Sequence, residues 1–266
     1  MMTRLQRVSS ADGTQIAVEA TGEGRPVVLI GGAFNDRTTM TGLAGVLSPH
    51  YLAVIYDRRG RGDSGDVSAD YSVEREMDDL RAVIGHVGGS ASLFGHSSGA
   101  VLALEAARRR LPVERVAAYE TPFIPEGSRP RPAPDVAGRL VSLVRAGDRD
   151  GATALFQTEV VGLPAEMVEG MRQSDVWGYL TGLAHSLPYD YALFDAGSPV
   201  PAGRLAEVAV PVLAIAGSNT FPWLYQATEQ VARAVPDGRF LSLTGHDHGV
   251  LHQPEALLPL LREFLG

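Results

Sequence analysis

The 266-residue chain contains no cysteine and no lysine; all 23 of its basic residues are arginine. Without cysteine there is no disulfide, no thiolate metal site and no cysteine nucleophile. Without lysine there is no Schiff-base or pyridoxal-phosphate chemistry, and no P-loop lysine to hold a nucleotide. The net charge of −8 is the opposite of the basic footprint that phosphate binding requires, so no nucleic-acid partner is expected. No apolar run approaches the roughly 18 residues of a membrane span, and no membrane partner is expected. The opening stretch MMTRLQRVSS has no apolar core behind its positive residues and does not read as a secretory leader. A cytoplasmic location is the expectation.

What is present is an ordinary globular composition, 45% hydrophobic and 20% charged, at a length that suits one α/β domain or a domain with an insertion. QIAVEATG (15–22) alternates like a half-buried strand. RPVVLIGG (25–32) and YLAVIYDRRGRGDSG (51–65) are apolar runs that end in glycine-rich loops, as central parallel strands do. Residues 73–87 carry helical periodicity, residues 90–110 read as strand, tight turn and helix, and VERVAAYE (113–120) is again a strand. Strands alternating with helices imply a mostly parallel sheet covered on both faces. The alternation stops at the proline-rich TPFIPEGSRPRPAPD and resumes at VAVPVLAIAG (208–217), followed by a helix near 222–235, GRFLSL and a helix from about 254. The spacing therefore predicts an α/β core over 1–124 and 201–266, with an all-helical insertion, a lid, over 125–200.

Two local features carry chemistry. FGHSSGA contains Gly95-His96-Ser97-Ser98-Gly99, a G-x-S-x-G. The bare pattern is weak, but an apolar strand runs into it and a helix runs out, which is the setting of a nucleophile elbow. The alternative is that Ser97 or Ser98 merely caps the following helix. The second feature is VAAYETPF, where an apolar strand ends in a carboxylate, Glu120. A charge at the end of a buried run is costly unless a partner meets it; the plain alternative is a solvated strand end.

Taken together, VVLIGG, YDRRGRGDSG, the GHSSG elbow and the helical insertion after VAAYE resemble the α/β-hydrolase superfamily over essentially the whole chain. The resemblance implies a serine hydrolase with Ser97 as nucleophile and no cofactor or metal. Its oxyanion hole would use the N–H groups of Ala33 and Ser98, with Phe34 as the fallback for the first. The family's usual His-Gly is Gly31-Gly32 here, which leaves a backbone donor intact. Setting Thr244-Gly245 on the family's Pro-Gly puts the base at His248, with His246 the runner-up. A metal site at His246-Asp247-His248 is the competing reading of that stretch. His96, inside the elbow, is expected to pack, and His252 to lie at the surface or cap a helix.

Most members carry the triad acid after the strand that follows the lid, and Thr220 occupies that position. A branch that includes lactonases of the zearalenone type places the acid at the end of the strand before the lid, and this chain is similar to it there: Ser-Ser-Gly-Ala follows the elbow, and a glutamate is followed closely by proline. The resemblance makes Glu120 the acid; Asp57, Asp195 and Asp247 are the other carboxylates to weigh. Arg58, Arg59 and Arg61 are expected to form salt bridges within their loop, with binding of an anionic substrate as the alternative. Lid aromatics and methionines imply an apolar or ring-containing small-molecule substrate, with Phe34, Phe123, Trp177 and Tyr189 as contact residues. The expected reaction is hydrolysis of an ester or lactone. Carbon–carbon hydrolysis or acyl transfer on the same triad, and a non-catalytic ligand receptor, are the alternatives.

Overall fold

A computed structural model describes residues 5–67, 71–194 and 197–266; Asp195 and the first four residues of MMTRLQRVSS lie outside them. Eight strands form one sheet: β1 (Gln6–Ser9), β2 (Gln15–Thr21), β3 (Pro26–Ile30), β4 (Leu52–Tyr56), β5 (Ala91–His96), β6 (Val113–Tyr119), β7 (Val212–Gly217) and β8 (Gly238–Leu243). Their spatial order is β1-β2-β4-β3-β5-β6-β7-β8. β1 with β2 and β2 with β4 are antiparallel, and every other pairing is parallel.

The apolar runs become central strands because both of their faces are covered, and successive residues point to opposite faces. Val28, Ile30, Val54, Leu93, Val116 and Val212 pack on one side against helices Val73–His86, Ser98–Arg108 and Pro222–Ala234. Val27, Leu29, Ile55, Phe94, Ala117, Tyr119 and Ile215 pack on the other side against Thr41–Leu47 and Leu258–Leu265. His96 pairs in register with Tyr119, and Tyr119 with Ile215. The residues that follow these strands therefore emerge at one sheet edge, where open α/β sheets place their ligands.

Between β6 and β7 the described residues form helices and no strand: Val136–Arg145, Arg149–Leu155, Ala165–Arg172, Val176–Leu183, Leu187–Phe194 and the short Ala202–Leu205, with a π-helical turn at Phe156–Val161. Val136, Leu140, Phe156, Leu187 and Phe194 join the same buried cluster as the sheet face beneath them. This segment leans on the sheet for its core.

Three boundaries differ from the sequence reading. β1 is an edge strand of four mostly exposed residues, with no apolar pattern to announce it. β7 begins at Val212, after Pro211, which has no N–H to offer a sheet. The C-terminal helix starts as two 3₁₀ turns, Val250–His252 and Pro254–Leu257, before Leu258–Leu265.

Candidate active site

Ser97 sits between β5 and helix Ser98–Arg108 with φ 58° and ψ −123°. Among the described residues four non-glycine side chains have positive φ: Phe34, Ser97, Arg110 and Glu120. Three of them gather at this sheet edge, and backbone strain of this kind persists only where surrounding contacts impose it. The elbow's glycines show those contacts. A Cβ at Gly95 would lie 2.4 Å from the Gly99 carbonyl oxygen, and one at Gly99 would lie 2.2 Å from that of Ile30. The Ser97 side chain makes no helix-capping hydrogen bond.

The imidazole and the carboxylate come from distant parts of the chain. His248 Nδ1 lies 2.7 Å from Glu120 Oε2. Nδ1 must donate to the carboxylate, which leaves the Nε2 lone pair as the basic position of the ring. Glu120 has no exposed surface. Its Oε1 accepts the Gly217 N–H at 2.8 Å, and its Oε2 also accepts the Thr220 hydroxyl at 2.9 Å. Thr220, at the position where the family usually carries the acid, thus donates to the carboxylate that stands on the neighbouring strand end. That contact gives Thr220 a part in the site although it is not the acid.

Two side chains fix the loop that carries His248. The Tyr119 hydroxyl donates to the Asp247 carbonyl at 2.6 Å, and His96 Nε2 donates to the His248 carbonyl at 2.9 Å. His96 also stacks on Tyr119, and burial pushes its pKa down to about 3, so its ring stays neutral. Its Nδ1 is buried without a partner.

The other candidates are occupied elsewhere. Asp57 accepts the backbone N–H groups of Arg37 and Asp63 and the Arg37 guanidinium. Asp247 caps the Gly249 N–H, and the ring that meets Glu120 is that of His248 and not of His246. No group of three His, Asp or Glu side chains converges as a metal site among the described residues. The loop arginines are buried, and apart from the 3.5 Å pair of Arg59 with Asp66 their carboxylate partners lie outside the loop, which corrects most of the local pairing expected from sequence. Arg58 meets Glu76 and Asp190, Arg59 meets Asp79 and Asp12, and Arg61 meets Asp190.

Ala33, Phe34, Ser97, Ser98 and His248 line one cavity of about 500 Å³. Gly32 lets its loop approach Ser97 this closely, since a Cβ there would lie 2.8 Å from the Ser97 Cβ. Val176, Tyr179 and Phe221 line the cavity and are also exposed, so they mark its mouth. Phe156 and Val160 of the π-helical turn form part of the wall, and Phe34 meets Phe156 edge-on at 5.5 Å.

Three expected contact residues do not line this cavity. Trp177 is buried inside the helical segment, donates its Nε1–H to Asp150 at 2.7 Å and lies under Arg172. Tyr189 stacks on Tyr71 at 4.5 Å and donates to Asp66. Phe123 is buried in the core, while its neighbours Pro122 and Ile124 face the cavity. Conversely His252, expected at the surface or as a cap, is exposed but also lines the cavity, as does Trp223. The signal for Trp223 was its place just after the loop that leaves β7.

This placement makes a prediction. Trp177→Ala should cost about 3 kcal/mol or more of stability, as large-to-small core changes do, and leave relative rates across substrates unchanged. Tyr179→Ala should do the reverse, shifting relative rates with little change in melting temperature. Thermal unfolding and a substrate panel on both variants check it; reordered rates in Trp177→Ala with unchanged stability would contradict it.

The model of the alpha/beta hydrolase family matches residues 27–260. The crystal structure of an alpha/beta hydrolase from Sphaerobacter thermophilus superposes with a TM-score of 0.92 at 42% identity, covering 98% of this chain and 100% of that one. A thermophilic esterase from Thermogutta terrifontis shares the fold, with a TM-score of 0.75 at 23% identity over 99% and 98% of the two chains. A Mycobacterium tuberculosis protein described as "Probable oxidoreductase EphD" is 35% identical over 125 residues, 44% of this chain. The chain spans only 21% of the length of that curated relative. With the elbow, the sheet order and a family match over nearly its whole length, this chain belongs to the alpha/beta hydrolase family.

Proposed function

We propose that the protein is a serine hydrolase of carboxylic esters or lactones, working through Ser97, His248 and Glu120. The observation that carries this reading is the 2.7 Å contact between His248 Nδ1 and the buried Glu120 carboxylate, in a cavity also lined by the strained Ser97. Glu120 holds the imidazole in the tautomer whose Nε2 is free to accept a proton. Nε2 takes the Ser97 proton as Oγ attacks the substrate carbonyl. The negative oxygen of the tetrahedral intermediate is received by the N–H groups of Ala33 and Ser98. As the first residue of its helix, Ser98 has an N–H without an intrahelical acceptor, and the helix N-terminus favours the developing charge. Collapse breaks the bond to the leaving alkoxide, which takes the proton from His248. Water then repeats the cycle on the acyl-enzyme, releasing the acid and restoring Ser97.

Among the described residues the cavity wall carries no Asp, Glu or Arg side chain, and mostly apolar side chains surround its few polar groups. A charged acyl group entering it would lose hydration without gaining a counter-ion. The reading is therefore a neutral, apolar acyl substrate of moderate size, held beneath residues 125–200 acting as a lid.

Four outcomes are expected. A fluorophosphonate probe should label Ser97 stoichiometrically and abolish p-nitrophenyl ester hydrolysis; peptide mapping that finds another serine would remove the mechanism. Glu120→Gln should lower kcat by roughly 10³- to 10⁴-fold, since an amide in a triad acid position presents the wrong group to the imidazole. Thr220→Val, which removes one of the three hydrogen bonds to Glu120, should cost on the order of tenfold; the two variants losing equal activity, or neither losing any, would contradict the assignment. Finally, kcat/KM for p-nitrophenyl butanoate should exceed that for the anionic p-nitrophenyl hemisuccinate by about tenfold or more, from uncompensated burial of the carboxylate. A preference for the anion would place a cation in the site that the wall does not show.

A further inference from the structure

Asp190 belongs to helix Leu187–Phe194 in the segment between β6 and β7, yet it is fully buried against the Ser98 side chain. Its Oδ1 accepts the Ser98 hydroxyl at 2.7 Å and Arg58 Nη1 at 2.8 Å. Its Oδ2 accepts Arg61 Nη2 at 2.7 Å. Arg61 in turn donates through Nη1 to the carbonyls of Gly32, at 2.6 Å, and Asn35, at 3.2 Å. Arg58 is matched on its far side by Glu76, at 2.7 Å. Two guanidinium groups and two carboxylates thus balance in a dry interior. Burial opposes ionisation of Asp190, and Arg61 and Arg58 outweigh it, holding the carboxyl below its usual range.

The two carbonyls that Arg61 grips bracket the dipeptide Ala33-Phe34. That dipeptide needs an anchor, because Phe34 is held at a φ of 57°. The Ser98 hydroxyl, gripped by the same Asp190, fixes the peptide on the opposite side of Ser97. We propose that Asp190 is a positioning residue for the oxyanion hole: one buried carboxylate holds both N–H donors at their spacing, the first through Arg61 and the second through the Ser98 side chain. The inference rests on the ester-hydrolysis reading above. It gives the helical segment a part in the reaction geometry beyond walling the cavity.

Asp190→Asn keeps the shape, leaves the arginines one carboxylate short and weakens both grips. The full-length protein and this variant are compared by fluorophosphonate active-site titration and by steady-state hydrolysis of p-nitrophenyl butanoate. Both are also tested for inhibition by an alkyl trifluoromethyl ketone, whose serine adduct carries an oxyanion, and by the matching secondary alcohol, which forms none. Per titrated site, kcat should fall about 10²-fold, the size of a lost oxyanion donor, with KM changed less than about threefold. Affinity for the ketone should fall in parallel and affinity for the alcohol should stay constant. Fewer titratable sites with unchanged kcat per site, or a lower kcat with unchanged ketone affinity, would overturn the positioning role. If Asp190→Asn does not fold, Ser98→Ala removes a single atom and carries the same test, with an expected fall of about fivefold in kcat and in ketone affinity; no fall in either would overturn the role. A wild-type protein that neither turns over neutral esters nor is labelled at Ser97 would overturn the hydrolase reading and this inference with it. Wild-type turnover with an unimpaired Asp190→Asn would overturn this inference alone.

Discussion

A carboxylate with no exposed surface is stable as an anion only when donors meet both of its oxygens. Glu120 has three: the backbone of Gly217, the hydroxyl of Thr220 and the imidazole of His248. Meeting them requires the end of β6 to lie beside the end of β7 and the loop after β8 to fold back over both. Other contacts serve that convergence. The Tyr119 hydroxyl and the neutral His96 ring hold the carbonyls of the two peptides that flank the His248 Cα. A Cβ at Gly217 would lie 2.2 Å from the His246 carbonyl oxygen, so the loop reaches its position only over a glycine. Glu120 itself leaves the strand with a positive φ, which turns its side chain out of the β6 ladder.

A second buried carboxylate at the same edge works on the opposite side of Ser97. In the reading proposed here Glu120 orients the group that accepts the proton, and Asp190 orients the groups that accept the charge. Both are anions held where water does not reach, and each is matched by donors from at least two elements distant in sequence. Such a site is preorganised: its dipoles are in place before the substrate arrives and need not reorient as charge develops.

The parts of this arrangement written in local sequence were legible there. The elbow was readable because its requirements are local: an apolar strand, two glycines where no Cβ fits, and a helix directly after. The parallel sheet was readable from the alternation of apolar runs and helices. Glu120 stood out because a charge ended an apolar run. Asp190 presents the same anomaly in LPYDYALF, but a lone charge within a helical stretch does not stand out as one ending a strand does. Its partners, Arg58 and Arg61, lie more than 120 residues away, and no periodicity links them. Trp177 and Tyr189 were assigned to the cavity because aromatic residues suit one. Their actual partners, Asp150 and Asp66, are polar tips that composition could not pair with them. The contact of Thr220 with Glu120 spans 100 residues and has no local signal.

The central claim is that a single proton, on His248 Nδ1, is held by Glu120. Proton NMR of the wild-type protein tests it directly through the imidazole N–H resonances, assigned with ¹⁵N-labelled histidine. The account predicts a resonance well downfield of ordinary ring N–H signals that vanishes in His248→Ala, moves sharply upfield in Glu120→Gln and persists in His246→Ala. No downfield resonance at any pH at which the protein stays folded, or one that survives Glu120→Gln unmoved, would contradict it.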